Sequence, residues 1–235
     1  MQKNVEIILV HTQLPENLGS SARGMLNFEF EKLRVVKPKF DIDNEKIIPV
    51  SAGADKVIRT ARSFEKLSDA IKDFNFVIAT TNRSRAIKKK EIKVKDFVSL
   101  ISNRKNKVAL IFGPEQSGLD NESISLCDYI LKIDSNPRFS SLNVSQAVTV
   151  ICNQIFEKLK NKKKNKNFKK KEIAKKSELI LFYEILEKKL ELTNFFKVEE
   201  RKKIIFQKIK NIFSKSELSS IEVKILISII KNIKK

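Results

Sequence analysis

An α/β fold with a mostly parallel sheet is predicted by three observations. Short apolar runs rich in β-branched residues alternate with helical stretches through the first two thirds of the chain. All five glycines and all five prolines lie before residue 138, so the turn-forming residues belong to that part. Polar clusters stand at the ends of several apolar runs, where open parallel sheets carry their ligand sites.

The elements follow in order. VEIILV (5–10), LRVV (33–36), FVIAT (76–80), VALIF (108–112) and YILKI (129–133) are short, mostly apolar runs rich in β-branched residues and read as buried strands. Helical stretches are expected at about 18–30, 53–73, 93–102 and 117–126, with a long helix from about 143. In that helix Val144, Ala147, Val148, Ile151 and Ile155 recur at helical spacing.

Beyond residue 157 the chemistry changes. Residues 157–235 hold 24 cationic and 10 acidic side chains, a net of +14, whereas residues 1–156 hold 24 and 18, a net of +6. The run KLKNKKKNKNFKKK (158–171) contains nine Lys and no acid, so it repels itself and reads as a solvated linker or a frayed helix end. Three amphipathic segments follow. Leu179, Phe182, Leu186 and Leu190 share a face in 178–192, as do Ile205, Ile209 and Ile212 in 199–213. In 220–233 Ile221, Ile225, Ile229 and Ile233 form a stripe, preceded by a Ser219-x-x-Glu222 capping box. These stripes read as ordinary core packing. The expected organisation is an α/β domain over 1–157, a basic linker over 158–176 and a small all-α extension over 177–235.

Composition narrows the function classes. The net charge of +20 favours a polyanion partner, nucleic acid before membrane. Only nine of the 48 cations are Arg, however, and a bias toward Lys, Ile and Asn gives the same pattern without any partner. Cys127 and Cys152 do not make a disulfide framework and read as small buried apolar residues of a reducing, cytoplasmic setting. His11 is the sole His and no Cys/His spacing suits zinc, so no metal is expected. The N-terminal MQKNVEIILVHTQ does not suit a signal peptide, and no run of about 20 apolar residues spans a membrane.

Four polar clusters are candidates for chemistry. PENLGSSARG (15–24) puts Asn17 and Gly19 at an expected turn and Arg23 about one turn inside a helix; alone it reads as a capped helix with a surface Arg. FGPEQSGL (112–119) carries Gly113, Glu115 and Gly118 after a strand, where glycine lets backbone approach a ligand. It lacks the Gly-Lys-Ser/Thr of a Walker loop and the spacing of a nucleophile elbow. TTNRSR (80–85) offers two hydroxyls, an amide and two guanidiniums, or is a solvated loop. NPRFSSLNVSQAV (136–148) offers Ser140, Ser141 and Asn143 where one polar side chain would cap the helix, with apolar Leu142 among them. That excess suits a loop wrapped around a polar, partly apolar ligand.

Taken together, NLGSSAR, FGPEQSGL and NPRFSSLNVSQAV resemble, in order and separation, the three motifs of the SpoU/TrmH-like RNA ribose 2′-O-methyltransferases of the SPOUT superfamily. The resemblance covers about residues 4–157. LFYEIL and IFQKIKNIF in the tail resemble, more loosely, the helical extension of the TrmJ branch, which methylates the ribose of nucleotide 32 in tRNA. The resemblance implies a C-terminal trefoil knot, an obligate homodimer, S-adenosyl-L-methionine as methyl donor and a tRNA substrate. Matched position by position, it makes Thr80, Thr81, Asn82, Gly113, Ile133, Ser140, Ser141 and Leu142 cofactor-binding. It places Arg23, Asn17, Glu115, Ser141 and Asn143 at catalytic or substrate-side positions. An Arg stays charged at any working pH, so Arg23 is expected to position phosphate and stabilise a developing alkoxide. Two alternatives stand beside this reading: the same chemistry on rRNA, and an RNA-binding module of this fold that has lost catalysis.

Overall fold

Seven parallel strands make one sheet in a computed structural model that describes residues 4–82, 87, 89–101, 106–161 and 173–232. In chain order the elements are β1 (Val5–Val10), α1 (Pro15–Asn27), β2 (Leu33–Val36), α2 (Ile47–Ser51), α3 (Asp55–Arg59), β3 (Arg62–Phe64), α4 (Leu67–Ala70), β4 (Phe76–Thr80), β5 (Lys90–Ile92), α5 (Val94–Ile101), β6 (Val108–Phe112), α6 (Asn121–Ser125), β7 (Tyr129–Leu131) and α7 (Val144–Asn161). Three further helices close the chain, α8 (Lys176–Leu192), α9 (Glu199–Ser214) and α10 (Ser220–Asn232).

The strand order is β3-β2-β1-β6-β4-β7-β5. The strands at 5–10, 33–36, 76–80 and 108–112 begin and end where their apolar runs do, because the central strands are buried on both faces. Side chains alternate between two cores: Ile7 and Leu9 enter one with α1, α5 and α7, while Ile8 and Val10 enter the other with Ala70, Ile71 and Ile124. The last central strand is shorter than its run. The chain leaves the sheet after Leu131, which frees Ile133 for the loop beyond it.

Four expectations are corrected. The helix expected at 18–30 runs from Pro15 to Asn27, with proline at its first position, so Asn17 and Gly19 lie inside α1 and not in a turn before it. Gly19 serves close packing instead: a Cβ there would lie 2.1 Å from the Ile47 carbonyl oxygen of α2. The stretch 53–73 is not one helix but α3, the short strand β3 and α4. The stripe on the last helix faces outward. Ile221, Ile225 and Ile229 are 71%, 53% and 51% exposed, and α10 turns Val223, Leu226, Ile227 and Ile230 to the core. This helix carries apolar residues on two faces, so periodicity alone picks the wrong one. On α9, likewise, Ile212 is exposed and Phe206 fills the core.

The C-terminal helices dock on the α/β part through backbone and buried charge. The Lys176 and Ser177 amides donate to Phe74 and Lys72 carbonyls at 2.7 and 2.9 Å, and Asn75 Nδ2 donates to the Ile173 carbonyl at 2.7 Å. Lys176 Nζ pairs with Asp128 in a buried ion pair, and Lys89 Nζ donates to Ser214 Oγ at 2.8 Å. The capping box forms: the Ser219 amide donates to Glu222 Oε2 at 2.7 Å, and the Glu222 amide to Ser219 Oγ at 3.3 Å. Most of the Lys-rich run, from 162 on, lies outside the described residues. Cys127 and Cys152 are free and buried. Among the described residues no helix is long and apolar enough to cross a membrane.

Candidate active site

A topological switch point positions the site. From β1 the chain passes to α1 and β2 on one side of the sheet; from β6, the neighbour of β1, it passes to α6 on the opposite face. Loops leaving two adjacent strands in opposite directions open a crevice between them.

Glu115, after β6, spans that crevice. Its Oε2 accepts the Gln13 backbone N–H at 3.1 Å and its Oε1 accepts Asn17 Nδ2 at 2.6 Å. The carboxylate thus sits against the first turn of α1, where unpaired amides and the helix dipole favour negative charge. Asn17, only 6% exposed, uses its other end as well: Oδ1 accepts Asn143 Nδ2 at 2.9 Å. Asn143 in turn accepts the Ser145 amide at 2.9 Å and so starts α7. One chain of hydrogen bonds therefore ties the loops after β1, β6 and β7.

Beside it lies a pocket lined by Thr80, Thr81, Asn82, Gly113, Glu115, Ile133, Ser140, Ser141 and Leu142 from three loops. All eight residues expected to hold a cofactor line this one pocket. The question of the surplus polarity before α7 has a local answer: Asn143 starts the helix, while Ser140 and Ser141 line the pocket. Asn82 closes the far side, donating to Ser135 Oγ at 3.0 Å and the Ser140 carbonyl at 3.2 Å. Thr80 Oγ1 is engaged with the Ile111 carbonyl at 2.8 Å.

Gly113 has a different reason than ligand approach. A Cβ there would lie 2.3 Å from the Leu119 amide nitrogen, so the residue lets the 113–119 loop fold back onto itself. That loop also uses the left-handed φ of +62° at Gly118. Gly24 brings α1 against α7, since a Cβ would meet Thr149 Oγ1 at 2.0 Å.

Arg23 stands apart. It is exposed on α1 and is not among the residues lining the pocket. The two guanidiniums of the TTNRSR cluster, Arg83 and Arg85, lie outside the described residues. Sequence reasoning did not single out Phe112, Val144, Ala147 or Ser135. Phe112 and Gly118 belong to the FGPEQSGL stretch, and Val144 and Ala147, whose spacing marks them as helix core, both pack in that core and line the pocket. Among the described residues no group of His, Cys, Asp and Glu is arranged to hold a metal ion.

The profile of the SpoU rRNA Methylase family matches residues 4–153. Over 212 residues the chain is 34% identical to the tRNA (cytidine-2′-O-)-methyltransferase TrmJ of Methanocaldococcus jannaschii, covering 88% of this chain and 91% of that protein. Over 238 residues it is 31% identical to the tRNA (cytidine/uridine-2′-O-)-methyltransferase TrmJ of Escherichia coli, covering 99% and 96%. Its fold is similar to the crystal structure of TrmJ from Z. mobilis, with a TM-score of 0.88, 31% identity and coverage of 98% and 99%.

Proposed function

The chain belongs to the SpoU rRNA methylase family, and from that premise we propose that it methylates a ribose 2′-hydroxyl of tRNA, at nucleotide 32 of the anticodon loop, with S-adenosyl-L-methionine as donor. One observation carries the reading: the second and third motif loops line a single pocket with the loop after β4, and the Glu115–Asn17–Asn143 hydrogen bonds tie the first motif, in α1, to its edge. The TrmJ relatives are tRNA 2′-O-methyltransferases by name, and their likeness extends over the tail as well as the α/β part.

The pocket suits the donor chemically. Apolar Ile133, Leu142 and Ala147 offer a surface for a purine, and Thr81, Asn82, Ser140 and Ser141 offer polar groups for a sugar and an amino-acid moiety. When bound, S-adenosyl-L-methionine supplies a methyl group made electrophilic by its sulfonium. The protein's task is then alignment of the ribose oxygen with that methyl, which contributes on the order of 7–11 kcal/mol at best. In this reading Asn17 and Asn143, held by Glu115, fix the substrate side of the pocket. Arg23, exposed on α1 and outside this chain's pocket lining, positions the RNA phosphate.

The functional unit in this proposal is a homodimer acting in the cytoplasm. Residues 1–157 form the methyltransferase domain, with 158–176 a basic linker and 177–235 a helical extension. The excess cations beyond residue 157 grip the RNA backbone. A trefoil knot at the C-terminal end of the domain is part of the proposal. It is supported by the strand order, in which β7 enters between β4 and β5, two strands laid down earlier in the chain. A second reading, rRNA as substrate, is favoured by the family's own description.

The test is incubation with methyl-labelled S-adenosylmethionine and total tRNA or rRNA, followed by mapping of the label. Label on a ribose 2′-oxygen at nucleotide 32 of tRNA is expected. Label in rRNA alone selects the second reading. Absence of label together with no donor binding at millimolar concentration by calorimetry selects the lapsed RNA-binding module.

A further inference from the structure

We propose that Phe139 is a stacking platform for the base of the nucleotide whose ribose is methylated, a role that rests on the ribose-methylation reading above. Phe139 is 79% exposed, more than any other large apolar side chain described. Burying such a ring stabilises a fold, so a fold that leaves it in water forgoes that stabilisation. It has no aromatic partner among the described residues, although seven other ring pairs form.

The ring is displayed on a built turn. The Arg138 amide donates to Asn136 Oδ1 at 3.0 Å and the Phe139 amide donates to the Asn136 carbonyl at 2.9 Å. Pro137 fixes one backbone angle within the turn. The base of the loop is tied by Asn82, which bonds both Ser135 and Ser140, and by Ser135 Oγ donating to the Ser140 carbonyl at 3.4 Å. All four residues of the tip, 136–139, are exposed. A ring on so constrained a turn loses little entropy when a ligand covers it.

Position selects the ligand. Ser140, Ser141 and Leu142, immediately after Phe139, line the pocket. With about 3.8 Å between successive Cα atoms, the ring lies within roughly 10 Å of that lining. A ribose presented to the pocket carries its base on the adjacent carbon, which puts a flat π-surface within reach of the ring. Arg138, beside it and exposed, adds a cation for the flanking phosphate. Base–aromatic stacking is sequence-tolerant and typically worth five- to over a hundredfold in binding.

The test uses tRNA transcripts carrying either the natural nucleotide or an abasic ribose at the mapped methylation position, with kcat/KM measured for wild type, Phe139→Leu and Phe139→Tyr. Wild type should lose about tenfold on the abasic substrate. Phe139→Leu should lose about tenfold on the natural substrate and nothing further on the abasic one, and Phe139→Tyr should recover most of that loss. Donor binding by calorimetry and the oligomeric state by sedimentation should match wild type throughout. Independent, multiplying losses overturn the proposal, as does coupling to the base of the 3′ neighbour in place of the target. A changed oligomeric state in Phe139→Leu assigns the ring to a protein interface and also overturns it. Failure of the underlying reading is distinct: wild type would then label no ribose hydroxyl at all, and the stacking role falls with it.

Discussion

Asn17 Nδ2 donates to Glu115 Oε1 at 2.6 Å across the switch point of the sheet, joining the start of α1 to the loop after β6. Both ends of the Asn17 amide are used, since its Oδ1 accepts from Asn143. The orientation of the amide is therefore fixed by a carboxylate on one side and a donor on the other.

Asn17→Asp replaces that donor by a second anion facing Glu115. The like charges should push the two loops apart and misplace the pocket's substrate side. A fall in kcat/KM of about 100-fold is expected, together with a lowered melting temperature, because Asn17 is nearly buried. Initial rates with labelled donor, alongside thermal melts, decide this.

Arg23 is exposed and outside the pocket lining, so its substitution should leave the fold intact. Arg23→Lys keeps the charge but loses the planar fork. It should bind tRNA within a few-fold of wild type and lose most turnover. Near-normal turnover would remove Arg23 from the chemistry.

Lys162, Lys163, Lys164 and Lys166 lie outside the described residues but carry four of the tail's charges. Changing all four to Gln should weaken tRNA binding. If each contacts phosphate, the slope of log affinity against log salt should become shallower by about 3. An unchanged slope means that these charges do not meet the RNA backbone.

The helical extension is held to the α/β part by a buried ion pair. Lys176 is paired with Asp128, and both side chains are buried. Lys176→Met leaves Asp128 buried without its counter-charge, bonded to the Val77 amide through its other oxygen, and should cost about 3–5 kcal/mol of stability. Chemical denaturation measures it. Truncation of residues 158–235 would create the same defect and also remove the partners of the Phe74 carbonyl and the Tyr129 hydroxyl, the Lys176 amide and Glu217.

Arg34 is buried between Glu6 and Asp73, with Nη1 and Nη2 donating to the Asp73 carboxylate at 2.6 and 2.8 Å. Burial pushes Asp73 up, but the hydrogen bonds and charge of Arg34 outweigh it and hold the carboxyl at about 2. Its ordinary value is higher, so between pH 4 and 2 the unfolded chain binds more protons. The stabilisation is present above about pH 4 and is lost as pH falls through 2. Asp73→Asn should make the loss of stability across that window shallower, as read from melts at successive pH values.

How much of this was legible in the sequence depended on burial. Strands β1, β2, β4 and β6 announce themselves because nearly all their side chains are apolar and buried, Glu6 of β1 being paired with Arg34 of β2. Even β2 does so with Arg34 in it, whose charge is satisfied inside the protein. The missed strands are the two sheet edges: β3 is Arg-Ser-Phe and β5 is Lys-Glu-Ile, short and charged as exposed edges tend to be. They carry no apolar run to find. The pocket residues were found through motif order, since no local rule brings Thr80, Gly113 and Ser141 together; the sheet topology does. The outward stripe Ile221, Ile225 and Ile229 misled because a helix with two apolar faces gives periodicity no unique answer.

The most direct measurement compares methyl transfer to tRNA carrying the natural ribose with transfer to the same tRNA bearing a 2′-deoxy sugar at the mapped nucleotide. Labelling of the natural substrate and its loss on the deoxy substrate is the expected result. Label that persists on the deoxy substrate, or RNA that is bound but never labelled, would contradict ribose 2′-hydroxyl methylation at this pocket.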